Sequence, residues 1–447
     1  MSRSSRRLVT VLAAVTVATT LAACGSSGGS SSSGSGSASN EASDTGITAD
    51  SIKIGATYPL TGVAAPGYSD IPTGVKAYFD YVNSQGGVNG RKIDYVYKDD
   101  GYNPTNTSSV TNDLVLNQKV FATMGSLGTA PHNAVLDFLN SEGVPDLFVA
   151  SGSSLWDNPK NNPETFGWQT DYESEGKIIG QYIKQNFPNA KVGLFLQDDD
   201  FGVDGERGIR KYLSDSQIVA VQRYTSGNTD VGPQIAGLQS AGADLVVGFN
   251  TPAYTALTQL VSLQLGFKPQ WFYSNVGSDP SLVGALLNNF SKGKVTGAGL
   301  LDKAITTQYL PGIDSPNDPW VQLFQKVWDA SGQQGQLTNF RVYGMAQAYT
   351  MVQALQAAGQ NPTRDSLVKA IEKAGKDWKG PGLAPFRYSA DRHAGIGGMR
   401  VVQLSGTTTK PLTSVLTTDT GDAEITQYSG QESAPPSSGI PSEQPAN

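Results

Sequence analysis

VFATMGSLGTAPHNAVLDFLNSEGVPDLFVASGSS, from Val120 to Ser154, contains a complete strand–helix–strand unit. The apolar runs Val120–Gly125 and Val144–Ser151 predict two strands. Between them, the segment near Pro131–Ser141 predicts a helix, and each strand is followed by a loop of small and hydroxyl residues. Strands joined through a helix pair in parallel, so both loops are expected at the same edge of one sheet.

The same alternation extends in both directions from this unit. Upstream, Ser51–Leu60 and Lys92–Asp100 read as strands, each followed by a helical segment. Downstream strands are predicted at Lys191–Leu196, Gln217–Arg223, Ala243–Phe249, Gln270–Ser274 and Gly397–Gly406. Helices are predicted at Pro104–Asn117, Glu173–Asn186, Asp204–Leu213, Pro233–Ser240, Ala253–Leu265, Thr338–Ala358 and Arg364–Ala374.

This alternation predicts an α/β protein with two parallel sheets, each covered by helices on both faces. The body, Ile47–Tyr428, is too long for a single core, so two domains are expected. Ligands of open parallel sheets bind at the carboxyl ends of the strands. Two such lobes facing each other across those ends would form a cleft.

Charge and composition exclude several classes of function. The net charge is −7 and no basic cluster occurs, which argues against a nucleic-acid partner. The body has no cysteine and only two histidines, His132 and His393, so no metal site is expected. Gly125–Gly128 lacks the spacing of a dinucleotide fingerprint, and no cofactor is expected.

The single cysteine, Cys24, follows an N-terminal segment with the order of a secretory signal. Three arginines precede the uncharged apolar run Leu8–Ala22, which is too short for a spanning helix. Residues 21–24 (LAAC) resemble the lipobox of bacterial lipoproteins, in which the cysteine is acylated and becomes the first mature residue. This predicts a signal peptide at 1–23, export, and a lipid anchor at the outer face of the membrane. An ordinary signal peptide with a chance cysteine, or an uncleaved anchor, are the alternatives.

Both ends of the chain are expected to lack fixed structure. Residues 24–48 are rich in Gly and Ser and read as a flexible tether. Residues 431–447 are rich in Pro and Ser and read as a disordered tail. No other run is long and apolar enough to cross a bilayer.

Four loops at predicted strand ends are candidates for a binding wall. They are Thr57–Gly74, Met124–Asn133, Ala150–Pro159 and Leu196–Gly208. In the second loop, Thr129 and the backbone N–H groups of a helix start would suit a carboxylate. Small residues at strand–helix turns also occur as simple turn chemistry, and the run Asp198–Asp200 is typical of a solvated turn.

The segments SIKIGATYPLTG, NSQGGVNGRKIDYVYKDDGYNP and Met124–Ser154 together resemble the leucine/isoleucine/valine-binding family of type I periplasmic solute receptors. These receptors serve ATP-driven (ABC) importers. The resemblance spans about 52–404 and implies two Rossmann-like lobes joined by three chain crossings. One lobe would comprise 50–170 plus 303–397, and the other 171–302 plus 398–430.

The resemblance also implies a set of ligand contacts. Thr129 matches the hydroxyl that takes the ligand carboxylate, and Asn275 matches the acidic residue that holds the ligand ammonium. Because Asn cannot neutralise an ammonium, either another acid such as Asp171 or Asp70 does so, or the ligand has none. The complete expected set is Tyr68, Thr129, Gly152, Ser153, Ser154, Trp156, Phe201, Thr251, Tyr254 and Asn275.

The function expected from these observations is a solute-binding lipoprotein of an ABC importer rather than an enzyme. Its ligand would be a branched-chain type amino acid or a related small carboxylate, and its partners an ABC permease and membrane lipid, with the protein itself a monomer. The alternatives are a receptor for an aromatic or apolar acid or amide without an ammonium, or a sensor. A cell-surface hydrolase using His132 or His393 is the reading that the residues favour least.

Overall fold

The computed structural model describes residues 39–442. The predicted signal peptide, Cys24 and most of the predicted tether lie outside the described residues, as do the last five residues. Among 39–442, no helix combines the length and the apolar character needed to span a bilayer.

The strands and helices of the described residues alternate along most of the chain. The strands are β1 (Ser51–Tyr58), β2 (Lys92–Asp99), β3 (Ala122–Met124), β4 (Asp146–Val149), β5 (Thr165–Gly167), β6 (Val192–Gln197), β7 (Ile218–Tyr224), β8 (Leu245–Phe249), β9 (Gln270–Tyr273), β10 (Ile305–Gln308), β11 (Gly398–Ser405), β12 (Thr408–Pro411), β13 (Leu416–Thr417) and β14 (Thr426–Gln427). The helices are α1 (Ala65–Tyr68), α2 (Ile71–Ser84), α3 (Pro104–Asn112), α4 (Thr129–Asn133), α5 (Leu136–Ser141), α6 (Tyr172–Asn186), α7 (Asp200–Arg210), α8 (Gly232–Ser240), α9 (Pro252–Leu265), α10 (Pro280–Phe290), α11 (Pro319–Ala330), α12 (Asn339–Ala357) and α13 (Arg364–Ala374).

The first sheet has the strand order β2-β1-β3-β4-β5, and all its pairs are parallel. Residues Ile54–Tyr58 of β1 are buried without interruption, as expected for a parallel strand covered on both faces. Helices α2, α3 and α11–α13 accompany this sheet, and α12 packs closely on α2. The predicted helix at 131–141 is divided into α4 and α5.

The second sheet has the order β14-β13-β11-β10-β9-β8-β6-β7, with β12 paired to β11. Strands β6–β10 are parallel, and β11 joins β10 in the antiparallel sense. The strand predicted at Gly397–Gly406 corresponds to β11 and belongs to this sheet. The boundary predicted at residue 303 differs from the structure, because Ile305–Gln308 pairs with β9 and β11 in the second sheet.

Together these observations confirm the predicted fold class, an α/β protein with parallel-strand sheets. The chain passes between the two sheets after β5, after β10 and before β11. Helix α4 touches α7, and α1 touches α9, so the two groups of elements meet at the edge where the loops lie.

The predicted disordered tail is wrong for residues 431–442, which lie against the helices of the first sheet. The indole N–H of Trp320 donates to the Ser433 carbonyl (2.6 Å), and the Tyr78 hydroxyl donates to the Gly439 carbonyl (2.8 Å). Since β14 belongs to the second sheet, this segment makes a fourth passage between the sheets. Residues 428–442 are called the C-terminal strap below.

The end of the predicted tether also packs on the body rather than remaining free. The Arg91 side chain is fully buried and donates to the carbonyl oxygens of Thr48 (2.7 Å) and Glu41 (2.8 Å). Asp44 accepts a hydrogen bond from the backbone N–H of Arg364 (2.8 Å). Buried hydrogen bonds of this kind hold residues 40–48 against the first sheet, although their composition is polar.

Candidate functional site

A cavity of about 200 Å³ lies between the carboxyl-end loops of the two sheets. This volume has room for roughly a dozen water molecules, or for one small organic solute. The loops that follow β1, β3 and β4 line one side, and those that follow β6, β8, β9 and β10 line the other. The cavity therefore occupies the place where open parallel sheets bind ligands.

Five of the ten residues expected at the site line this cavity: Tyr68, Thr129, Phe201, Thr251 and Asn275. Thr129 opens α4 and is almost completely buried. Its hydroxyl shares a hydrogen bond of 2.8 Å with that of Ser151. Thr129 can therefore offer a hydroxyl to a ligand oxygen while Ser151 keeps its side chain in place.

Aromatic rings form much of the cavity wall. The ring of Phe201, in the first turn of α7, lies 4.4 Å from that of Tyr172, centroid to centroid. Burial raises the pKa of Tyr172 to about 12, so this phenol stays neutral and can donate a hydrogen bond. Tyr102, Tyr309 and Tyr343 also line the cavity.

Of the third predicted loop, Ala150–Pro159, Ala150 lines this cavity, but the residues expected to bind ligand do not. Gly152, Ser153, Ser154 and Trp156 line a separate pocket of only about 10 Å³. The Ser154 backbone N–H donates to the Asp204 carboxylate (2.7 Å), and the Ser153 hydroxyl caps the short turn that follows. These residues serve local structure, and their hydroxyl-rich sequence reflects turn chemistry.

Tyr254 also lies away from the cavity. Its ring stacks on Tyr224 at 3.9 Å, and its hydroxyl accepts a hydrogen bond from the Gly227 N–H (2.7 Å). Tyr254 points to the inner face of α9 and packs in the core of the second sheet. Of Thr251 and Tyr254, only Thr251 contributes to the cavity wall.

The loop that contains Asn275 is held by a buried carboxyl group, Glu175. Glu175 accepts hydrogen bonds from the Asn275 backbone N–H (2.8 Å), the Ser274 hydroxyl (3.0 Å) and the Thr307 hydroxyl. Burial raises the pKa of Glu175, and these hydrogen bonds act in the opposite direction. Asn275 and Thr307 line the cavity, whereas Glu175 does not.

Neither alternative acid from the sequence lies in the cavity. Asp70 pairs with Arg341 (3.0 Å), and Asp171 caps α6 through the Ser174 N–H (2.7 Å) and lines the small pocket. The carboxyl groups that do line the cavity are Asp279 and Asp314, which the sequence did not single out. Asp279 follows β9, which the sequence predicted, so its place near a strand end was the available signal. Asp314 follows β10, a strand that the sequence did not predict, so no such signal was available for it.

Both histidines are buried in structural contacts away from the cavity. The Nε2 atom of His132 lies 2.8 Å from Oδ2 of Asp146, and a ring nitrogen of His393 lies 2.8 Å from the Thr165 carbonyl oxygen. Neither residue lines the cavity. Within residues 39–442, no cluster of three or more His, Cys, Asp and Glu side chains is arranged to hold a metal ion.

Comparison with known proteins places this architecture among solute receptors. The family model for periplasmic binding proteins matches residues 51–409. The Leu/Ile/Val-binding protein homolog 2 of Brucella abortus is 26% identical over 341 residues, which cover 73% of this chain and 84% of that protein.

Solved structures of transport proteins share the fold. A branched chain amino acid ABC transporter protein from Thermus thermophilus with bound valine aligns with a TM-score of 0.71 at 22% identity, covering 82% of this chain and 97% of that one. A fatty acid ABC transporter substrate-binding protein from Thermomonospora curvata aligns with a TM-score of 0.71 at 21% identity, covering 83% and 94%. At these identities the likeness establishes the fold and leaves the ligand open.

Proposed function

This chain belongs to the periplasmic binding protein family, and from that membership we propose that it is the extracytoplasmic solute-binding lipoprotein of an ABC importer. The observation that carries the proposal is the cavity between the carboxyl-end loops of the two sheets. In such receptors a solute is held by both walls, and closure is favoured by the contacts that the solute adds across the cleft.

The proposed ligand is an amino acid of the branched-chain type or a related small carboxylate. Its carboxylate would meet the Thr129 hydroxyl, with the apolar part against Phe201 and Tyr172. The names of the Brucella relative and of the valine-bound structure support this class. An aromatic or apolar acid or an amide without an ammonium is the alternative, since Asn275 stands where the resemblance expects an acid.

The proposed setting is the outer face of the cell membrane. Cys24 would carry the lipid, and a membrane permease would receive the ligand-bound form. The alternative is a sensor receptor, which would report ligand occupancy to another partner. Such a receptor would use the same cavity and the same lipid anchor. A hydrolase is disfavoured because the burial of His132 and His393 keeps both imidazoles away from any solute in the cavity.

A thermal-shift screen of amino acids, amides and aromatic acids tests the proposal. A ligand at 100 times its Kd should stabilise the protein by about 2.7 kcal/mol. Mass spectrometry of the released ligand should show it unchanged, whereas a chemically altered product would contradict a receptor role.

Replacing Thr129 by Ala should weaken a carboxylate ligand roughly ten-fold or more, because a hydrogen bond to a charged group is lost. Calorimetric titration measures this change. Thr258→Ala is the matched control, since the Thr258 hydroxyl is also buried and hydrogen-bonded but does not line the cavity. Equal affinities for wild type and Thr129→Ala would remove Thr129 from the site.

A further inference from the structure

The amino edge of the second sheet, where its parallel strands begin, lies on the side away from the cavity and is rich in lysine. Hydrogen bonds hold the residues that precede these strands side by side. The Asp244 N–H donates to the Lys191 carbonyl oxygen (3.0 Å), and the Gln270 N–H donates to that of Asp244 (2.8 Å). The Gln270 side chain donates to the carbonyl oxygen of Lys303 (3.0 Å). Five exposed lysines lie along this edge: Lys191, Lys268, Lys292, Lys294 and Lys303.

Neighbouring acids do not neutralise these lysines. Within residues 39–442 the lysines that form ion pairs are other ones, namely Lys53, Lys76, Lys98, Lys211 and Lys369. The exposed acids at the edge are Asp244, Asp302 and Asp215, and Asp215 is already paired with Arg210 (2.6 Å). The edge is therefore locally positive on a chain whose net charge is −7. Because its lysines come from separate segments, the sequence contains no basic run that would reveal it.

Exposed apolar side chains lie at the same edge. Helices α9 and α10 pack on each other, and both end here because each leads back to the start of the next strand. Among residues 39–442, five large apolar side chains are exposed, and three of them lie at or near these helix ends: Leu263 (51% exposed), Leu265 (41%) and Phe290 (38%). Apolar side chains flanked by lysines are typical of protein surfaces that rest in the interface of a bilayer.

We propose that this basic edge, formed by the five lysines with Leu263, Leu265 and Phe290, binds the anionic headgroups of the membrane surface. Each lysine held near an anionic bilayer strengthens binding about five-fold. The apolar side chains add to this by leaving water for the boundary between headgroups and acyl chains. The inference rests on the proposed membrane setting, not on the identity of the ligand, and it adds a second membrane contact to the proposed lipid anchor.

The two contacts together would set the orientation of the receptor. The predicted tether joins the body at Asn40, whose side chain donates to the carbonyl oxygens of Ala49 (3.1 Å) and Asn89 (3.0 Å), just before β1 and β2. The two sheets face each other with their carboxyl edges, so their amino edges lie at opposite ends of the molecule. With the anchor at one end and the basic edge at the other, the receptor would lie along the membrane rather than stand on it.

Vesicle binding of the mature chain tests this assignment. The chain is produced from Cys24 onward without the signal segment, so that the cysteine stays unacylated and the whole described body is present. The vesicles consist of phosphatidylcholine alone or of equal parts phosphatidylcholine and phosphatidylglycerol. Co-sedimentation at low ionic strength should show binding roughly ten-fold or more tighter to the anionic vesicles, and added salt should reduce this difference.

Variants then locate the contact. Replacing Lys292 and Lys294 together by Gln should weaken binding to the anionic vesicles roughly ten-fold or more, because two positive charges are lost. Replacing Lys373 and Lys376 together by Gln is the matched control, since both are exposed lysines on the first lobe, and binding should be unchanged. Phe290→Ser keeps every charge but removes an apolar side chain, and should weaken binding several-fold.

Each other outcome overturns the inference. Equal binding to the two kinds of vesicle, or an equal loss in both double variants, would show that the basic edge does not recognise an anionic membrane. Unchanged binding of Phe290→Ser, together with equally tight binding of dextran sulfate, would show that the edge attracts any polyanion. None of these results bears on the proposed receptor function, which the ligand screen tests separately.

Discussion

Glu175 shows how a single buried carboxyl group can organise a binding wall without touching the solute. Its three donors come from the loop after β9 and from β10. Both segments line the cavity through Asn275 and Thr307. Removing this buried carboxyl group would be costly, because the three donors around it would lose their acceptor.

Asp171 is a second carboxyl group whose environment disfavours its charge. Burial raises its pKa from 3.8 to about 6, against hydrogen bonds from Ser174. The folded state therefore holds this proton more tightly than the unfolded chain, so the ionised group destabilises the fold above about pH 6. This penalty shrinks as the pH falls through 6 and is absent below about 4.

Asp171→Asn should therefore raise the free energy of unfolding at pH 8 by about 1–2 kcal/mol, and should have little effect at pH 4. Asn retains the helix cap, since its side-chain oxygen can also accept from the Ser174 N–H. Urea unfolding at both pH values measures the difference. A loss of stability at pH 8 would show that ionised Asp171 is favourable in the fold.

Residue types at predicted strand ends identified some of the residues that line the cavity. Whether the others line it depends on the direction of their side chains, which the sequence does not give. Thr129 and Asn275 could be placed because each follows a strand that ends at the cleft. Tyr254 could not, because one more turn along α9 carries it to the inner face of the helix. Asp314 and Tyr309 depend on β10, a strand that the sequence did not indicate, and so both escaped prediction.

At the scale of elements, α2 and α12 approach each other unusually closely. A methyl group on Gly74 would lie 2.3 Å from the Arg341 carbonyl oxygen, and one on Gly344 would lie 2.3 Å from that of Ile71. Glycine at the crossing lets the two backbones touch. Since α12 also carries Phe340 and Tyr343 into the cavity wall, its distance from α2 helps to set the shape of the site.

Gly74→Ala should force these helices apart and lower the free energy of unfolding by about 1–3 kcal/mol. It should also weaken ligand binding, because Phe340 and Tyr343 move with α12. Chemical denaturation and titration calorimetry measure the two effects. Gly299→Ala is the control, since a methyl group there meets open space and the backbone conformation is ordinary; equal behaviour of the two variants would contradict the crossing argument.

Long segments rich in helix-forming residues were predictable, and short polar strands were not. The predicted helix at Thr338–Ala358 matches α12, with Thr338 as its N-cap. In contrast, the four residues of β10, ITTQ, contain a single apolar side chain. They form a strand because β9 and β11 lie on either side and pair with them. This pairing depends on the tertiary structure and cannot be read from the four residues themselves.

At the scale of the whole molecule, the C-terminal strap ties the second sheet to helices of the first. Four side chains donate to its carbonyl oxygens: Tyr78, Tyr81, Trp320 and Gln356. A Pro/Ser-rich composition predicts disorder because it offers little apolar surface. Here the donors belong to the helices, so the strap's own sequence gave no sign of its docking.

A chain that ends at Gly430 should lose about 2–4 kcal/mol of unfolding free energy, because these donors lose their partners and the rings of Tyr78 and Trp320 become exposed. A chain that ends at Ser442 keeps every contact described for the strap and serves as the control. Thermal unfolding compares the two chains. Equal stability of both would mean that the strap's hydrogen bonds are replaced by water without loss.

The docking of residues 40–48 and of the C-terminal strap on one sheet has a practical consequence for an optical sensor. Fluorophores attached near Glu41 and near Ser438 would both be fixed to the helices of the first sheet. The distance between them would therefore stay constant if the cleft closed. A pair at Ser438 and Asp215, which is fully solvent-facing beside the second sheet, would instead convert the capture of a solute into a change in energy transfer.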